Sequence, residues 1–145
     1  MKNGKENGTT YVKLGAVVLR KEVAEPLAAL FAGPYEGFAD GLANLFPGLS
    51  AEETREAEKL KAYGADINEV VFRAWYPVVN PHLDGLLRFL GRVADPDQAI
   101  VVEEIKVTPW GVDHKLRGWK VLGDGTFQPL QVGLKDPQTG EFWPL

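Results

Sequence analysis

The spacing of apolar side chains changes twice along this chain. Within residues 10–20, Val12, Leu14, Ala16 and Val18 occupy alternate positions, and Val17 and Leu19 make the opposite side partly apolar. A period of two predicts a strand, and apolar groups on both sides predict one inside a sheet or under a helix. The period then lengthens. Pro26 and Pro34 each suit a first helical position, where a missing N–H is harmless. After Pro34, Tyr35, Phe38, Leu42, Leu45 and Phe46 recur at helical spacing until Pro47-Gly48 stops the run. Gly37 and Gly41 weaken that helix by about 1 kcal/mol each relative to alanine, and suggest the close approach of another backbone.

Ser50-Ala51-Glu52-Glu53 is a capping box opening a helix to about Tyr63, with Gly64 as its natural terminator. Only Ala57, Leu60 and Tyr63 form an apolar seam there, so this mostly charged helix is expected on the surface. Asp66-Ile67-Asn68-Glu69 reads as a second cap. Ile67, Val70, Val71, Ala74, Trp75 and Val78 follow at helical spacing, with Pro77 as the terminator or kink. Asn80-Pro81 opens the last helix, whose buried stripe is Leu83, Leu86, Leu87, Leu90 and Val93.

From residue 99 the period returns to two, with Val101, Ile105 and Val107 alternating with polar residues. Pro109-Trp110-Gly111 is a turn, residues 114–122 are the return strand, and Gly123-Asp124-Gly125 turns the chain again. Leu130, Val132 and Leu134 alternate in a third strand. The Asp136–Gly140 loop then sends the Phe142-Trp143 segment back as a fourth. Helices followed by strands imply an α+β fold. Four to five mid-chain helices pack on one face of a four- to five-stranded antiparallel sheet, made of the N-terminal strand and the C-terminal meander. Residues 1–9, without a large apolar group beyond the initiator, read as a flexible arm, and 10–145 as a single domain.

Composition narrows the function. The net charge of −4 disfavours direct nucleic-acid binding, which rests on lysine and arginine displacing counterions, and suits a protein partner with a basic surface. The absence of cysteine removes disulfides, thiolate nucleophiles and cysteine zinc sites. No signal-like start or long apolar run occurs, so a cytoplasmic location is expected and a membrane role is not. Asn, Gln, Cys and Met are scarce, which fits a heat-adapted host or a phage infecting one.

No motif for a metal, a cofactor or catalysis emerges. In an extended 112–121 segment, His114 shares a side with Val112 and Leu116 and is expected to face apolar surroundings. Asp113 points the other way, which is the wrong geometry for a base and its orienting carboxylate. Lys115, Arg117 and Trp119 share the second side as a basic–aromatic strip. Trp110 stands in a turn, and Phe142 and Trp143 lie on opposite sides of a terminal strand. Large rings in such places are typical of protein contacts. Trp110, Lys115, Arg117, Trp119, Phe142 and Trp143 are therefore the candidate protein-binding residues. The sequence reads as a non-enzymatic binding module, a small regulator or inhibitor docking on a larger nucleic-acid-processing machine such as a polymerase. The alternatives are an assembly subunit, and a small enzyme with a dispersed acid–base site drawn from His82, His114, Glu103 and Asp113.

Overall fold

The computed structural model describes residues 8–122 and 126–144. Within them the order is β1 (Thr9–Leu14), β2 (Val17–Val18), α1 (Lys21–Ala32), α2 (Phe38–Leu45), α3 (Ala51–Ala62), β3 (Asp66–Asn68), β4 (Val71–Arg73), β5 (Val78–Val79) and α4 (Leu83–Val93). The C-terminal part adds β6 (Ala99–Thr108), β7 (Gly111–Val121), β8 (Phe127–Leu130), β9 (Gly133–Lys135) and β10 (Phe142–Pro144). The fold is α+β. Its main sheet is antiparallel in the order β5-β1-β6-β7-β8, with small sheets β2-β4-β3 and β9-β10 beside it. The early strand joins by the expected long-range pairing, with Thr9 opposite Val107 and Leu14 opposite Val102.

Strand alternation sorts the main sheet into two faces. Val12, Leu14, Val78, Ile100, Val102, Trp119 and Val121 share the inner face, and all are buried. They belong to the same core as Leu86, Phe89 and Leu90 of α4 and Leu27 and Phe31 of α1. Phe31 is the node of the helical side, meeting Phe38 and Phe72 edge-on at centroid distances of 5.2 and 5.4 Å. At Gly15-Ala16 the chain leaves the main sheet and enters the small one. There Val18 gains a side-chain substitute for a strand partner: Gln98 accepts from its N–H at 3.0 Å and donates to its carbonyl at 2.6 Å.

The capping box forms as the sequence implies. The Glu53 N–H donates to Ser50 Oγ at 3.1 Å, and the Ser50 N–H donates to Glu53 Oε1 at 3.2 Å. Gly64 takes φ +81° after α3, and Ala65 N–H reaches back to the Leu60 carbonyl at 2.9 Å. The expectation that α3 is a surface helix needs correcting, because Glu53 and Glu56 are both buried. Arg92 of α4 forms a two-pronged ion pair with Glu53, through Nε and, at 3.1 Å, through Nη2, which also donates to the Gly48 carbonyl. Glu56 has Lys59 Nζ at 3.4 Å but no hydrogen-bonded partner. Lys61 crosses to the end of α1, where its ammonium donates to the carbonyls of Leu30, Phe31 and Gly33. α1 has no basic residue in its own last turn, so this cation supplies the C-terminal cap from a distance.

Four further expectations are revised. Residues 67–78 are not a helix; they form β3, β4 and β5. The β-branched pair Val70-Val71 beside Phe72 suits a pleated surface, Glu69 turns the chain at φ +57°, and Pro77 holds Tyr76 away from helical geometry. Pro26 lies inside α1, not at its start; the position is exposed, so water can serve the carbonyl that loses its donor. Gly41 admits a side chain and not a backbone: a Cβ there would stand 2.3 Å from Leu30 Cδ2. The expected strand through Leu130, Val132 and Leu134 breaks at Gln131-Val132, so β8 stays with the main sheet while β9 pairs only with β10. The turn expected at Gly123–Gly125 and most of the N-terminal arm lie outside the described residues.

Candidate functional site

The β6–β7 hairpin carries most of the residues singled out from the sequence. Thr108 stands opposite Gly111, so Pro109 and Trp110 form a two-residue tip. The Thr108 hydroxyl braces it, accepting from Trp110 N–H and donating to the Gly111 carbonyl, both at 3.2 Å. Gly111 takes φ +148°, a value L side chains avoid. The register is unbroken from Ala99 opposite Lys120 up to that tip. Helices cover only the base of the hairpin. On the inner face Ile100, Val102 and Trp119 are buried, whereas Lys106, Asp113 and Lys115 further out are exposed.

Trp110 is 92% exposed at the tip. Trp119 is the opposite case: it shares a face with Lys115 and Arg117 as expected, but it is buried at 7% exposure, with the Arg117 guanidinium 5.0 Å above its ring. The strip thus has a core end at Trp119 and a solvated end at Lys115. Arg117 is also paired with Glu104 at 3.4 Å.

The outer face of the sheet carries Tyr11, Val79, Val101, Ile105, Val107, Val112, Leu116 and Leu130, of which Val101, Val107, Val112, Leu116 and Leu130 are exposed. No helix covers it. His114 does share a side with Leu116 and Val112, yet that side is open and the imidazole is 59% exposed. Its Nδ1 lies 2.8 Å from Glu103 Oε2. The expectation of an apolar, covered histidine is therefore replaced by an exposed ion-pairing one. Its carboxylate partner is diagonal across the hairpin, since Ile105 stands directly opposite His114 and Leu116 opposite Glu103. The sequence contained the signal for this pair: a tip at Pro109-Trp110 fixes every cross-strand neighbour.

An open recess of about 1000 Å³ runs beside this pair, lined by Glu103, Asp113, His114, Lys115 and Leu116. Its lining comes from both faces of β7, so it follows the strand's edge and is not a cleft between layers. β8 pairs with β7 only from Gly118 to Val121. Beyond Leu130 the ladder ends, so the 111–117 segment of β7 is strand-paired on the β6 side alone, while Gln131 and Val132 line a second recess with Lys115–Trp119. None of the recess's lining residues carries a hydroxyl nucleophile, and the described residues contain no cluster of three potential metal ligands.

The other candidates are dispersed. His82 caps α4: its Nδ1 accepts from Gly85 N–H at 3.0 Å, and its Nε2 stands 3.1 Å from Glu52 Oε2. That places its proton on Nε2 and makes both nitrogens structural. Phe142 and Trp143 lie in the β9–β10 hairpin with Leu134, all exposed. Gly133 is held beneath the Phe142 ring, where a Cβ would stand 2.5 Å from Cζ. Asp136 builds the loop between these strands, accepting from Gln138 N–H at 2.8 Å and Thr139 N–H at 3.3 Å, and these bonds hold its carboxyl below its ordinary range. No described helix is long and apolar enough to cross a membrane. Compared with protein-family models, curated proteins and solved structures, the chain finds no match in any of the three.

Proposed function

We propose that this chain is a non-enzymatic protein-binding module that presents its β6–β7 hairpin to a larger protein. One observation carries the reading: Trp110, 92% exposed, is held at the apex of a braced hairpin where no fold requirement places it. A large ring on a rigid mount loses little conformational freedom when a partner buries it, which is why tryptophan recurs among energetic anchors of interfaces. The uncovered apolar outer face supports the same reading, since contiguous exposed apolar surface is characteristic of contact sites. The net charge of −4 favours a partner with a basic surface. A cytoplasmic regulator or inhibitor of a nucleic-acid-processing enzyme such as a polymerase has that character, and the composition fits a phage of a thermophilic host. Trp119, being core, drops out of the contact set, Lys115 and the part-exposed Arg117 stay in it, and exposed Phe142 and Trp143 on the β9–β10 hairpin remain separate candidates.

Affinity capture from host lysate, with the parent chain and Trp110→Ala as paired baits, tests this. The expected result is a protein retained by the parent and lost by the variant, with thermal unfolding within about 0.5 kcal/mol of the parent, as for surface changes in general. Equal retention by both baits refutes the role of the tip. The assembly-subunit reading is favoured by a separate observation, the bare edge of β7.

A further inference from the structure

We propose that two copies of this chain join edge to edge along β7, antiparallel about a two-fold axis through His114, making one continuous sheet from two. The observation behind it is distinct from the exposure of Trp110, so either reading can fail alone.

The direction of the backbone groups comes first. Val121 N–H donates to the Gln98 carbonyl on the β6 side, whereas Leu122 N–H donates to the Thr126 carbonyl on the β8 side. Peptide groups alternate along a strand, and the β6–β7 register is free of bulges. The N–H and C=O groups of Val112, His114 and Leu116 therefore face the open edge. Such a row is a template for another strand.

Side-chain charge then selects the occupant and its register. In an antiparallel pair, edge-facing residues must stand opposite edge-facing residues. Setting Val112 opposite His114 of a second copy brings Asp113 against Asp113. Setting His114 opposite Leu116 brings Lys115 against Lys115. Centring on His114 instead puts Asp113 opposite Lys115 twice and Val112 opposite Leu116 twice. The exposed edge is thus complementary to itself in one register, in charge on the inner face and in apolar contact on the outer. Length agrees: the segment without a strand partner on this side runs from the turn at Gly111 to Arg117, and this register pairs Val112–Leu116 of each copy within it. This register sets the tip of each copy end-on against Leu130–Val132 of the other, which limits the pairing to Val112–Leu116. Three residues from each copy exchange six backbone hydrogen bonds.

Sedimentation velocity at roughly 100 µM, a concentration at which even weak specific pairs populate, reads the association. The parent is expected to dimerise. Asp113→Lys and Lys115→Asp each turn two attractions into repulsions and should weaken it at least about tenfold. The double variant Asp113→Lys/Lys115→Asp restores opposite charges and should recover it. A monomeric parent, unaffected single variants, or a double variant no better than the singles overturns the proposal. Cysteine placement gives a second reading that does not depend on charge, because the chain has no native cysteine. In this register the two residues 114 lie about 5.5 Å apart at Cα, within disulfide range, whereas residues 112 lie about 14 Å from each other, as do residues 116. His114→Cys should cross-link under mild oxidation, and Val112→Cys and Leu116→Cys should not. Cross-linking at 112 or 116 in preference to 114 overturns the register.

Discussion

Replacing Arg92 with alanine tests the account of α3 most directly. Glu53 is 2% exposed and would be costly to bury charged. Burial pushes its carboxyl up from the ordinary 4.5, but the Arg92 hydrogen bonds, the Ser50 N–H and the guanidinium charge together hold it below that value. Loss of one partner of a fully buried pair costs about 3–5 kcal/mol. Arg92 is itself 34% exposed, so water can partly replace it, and the lower end of about 3 kcal/mol applies here. At about 3 °C per kcal/mol for a chain this long, the melting temperature should fall by roughly 10 °C. The sign of the pH dependence follows from the lowered carboxyl. Glu53 contributes stability above its unfolded value, and that contribution fades as pH falls through the lower folded one. Urea unfolding at neutral pH and near pH 3 should show a smaller penalty of Arg92→Ala at the lower pH, because protonation of Glu53 removes the ionic part and leaves hydrogen bonds such as that to Gly48. A penalty that is equal at both pH values would refute the ionic account.

Two further changes concern the same helix. Lys61→Met should cost about 2 kcal/mol by leaving the Leu30 and Phe31 carbonyls of α1 and that of Gly33 just after it without their charged donor, measured by denaturant unfolding; a cost under 0.5 kcal/mol would show that water serves them equally well. Glu56→Met should raise stability by about 1 kcal/mol, since it removes a buried charge without a hydrogen-bonded partner and keeps the volume. A loss of stability would mean that the Lys59 contact outweighs the desolvation of Glu56.

What the sequence disclosed depended on whether the deciding interaction was local. Ser50 and Glu53, Gly64, the Pro109-Trp110 tip and the Asp136–Gly140 loop form as read, because each is closed within a few residues by its own hydrogen bonds. Residues 67–78 misled because helical spacing and β-branched composition pointed to different structures, and pairing of Val71 with Val18 and of Phe72 with Val17 decided between them. The burial of Glu53 required Arg92, thirty-nine positions away, and no local pattern signals such a partner. At the candidate site, alternation sorted Lys115, Arg117 and Trp119 onto one side correctly. It could not say that the helical layer ends between Trp119 and Lys115, so one indole is core while its neighbours are wet. The Glu103–His114 pair was legible through the tip register, but the bare edge of β7 was not, because it exists only where β8 departs.

The long-range pairing of β1 has a consequence for how the chain reaches this structure. Thr9–Leu14 precedes its β6 neighbours, Val102–Val107, by some ninety residues, and every described helix is made in between. At translation speeds of about 5–20 residues per second, β1 waits several seconds without the neighbour that completes it. The helices can assemble meanwhile, so the ladder between β1 and β6 closes only after the helical layer has been made. A nascent chain stalled before residue 99 would carry β1 paired only with the two-residue β5, its β6 edge and apolar face open to chaperones and to other copies.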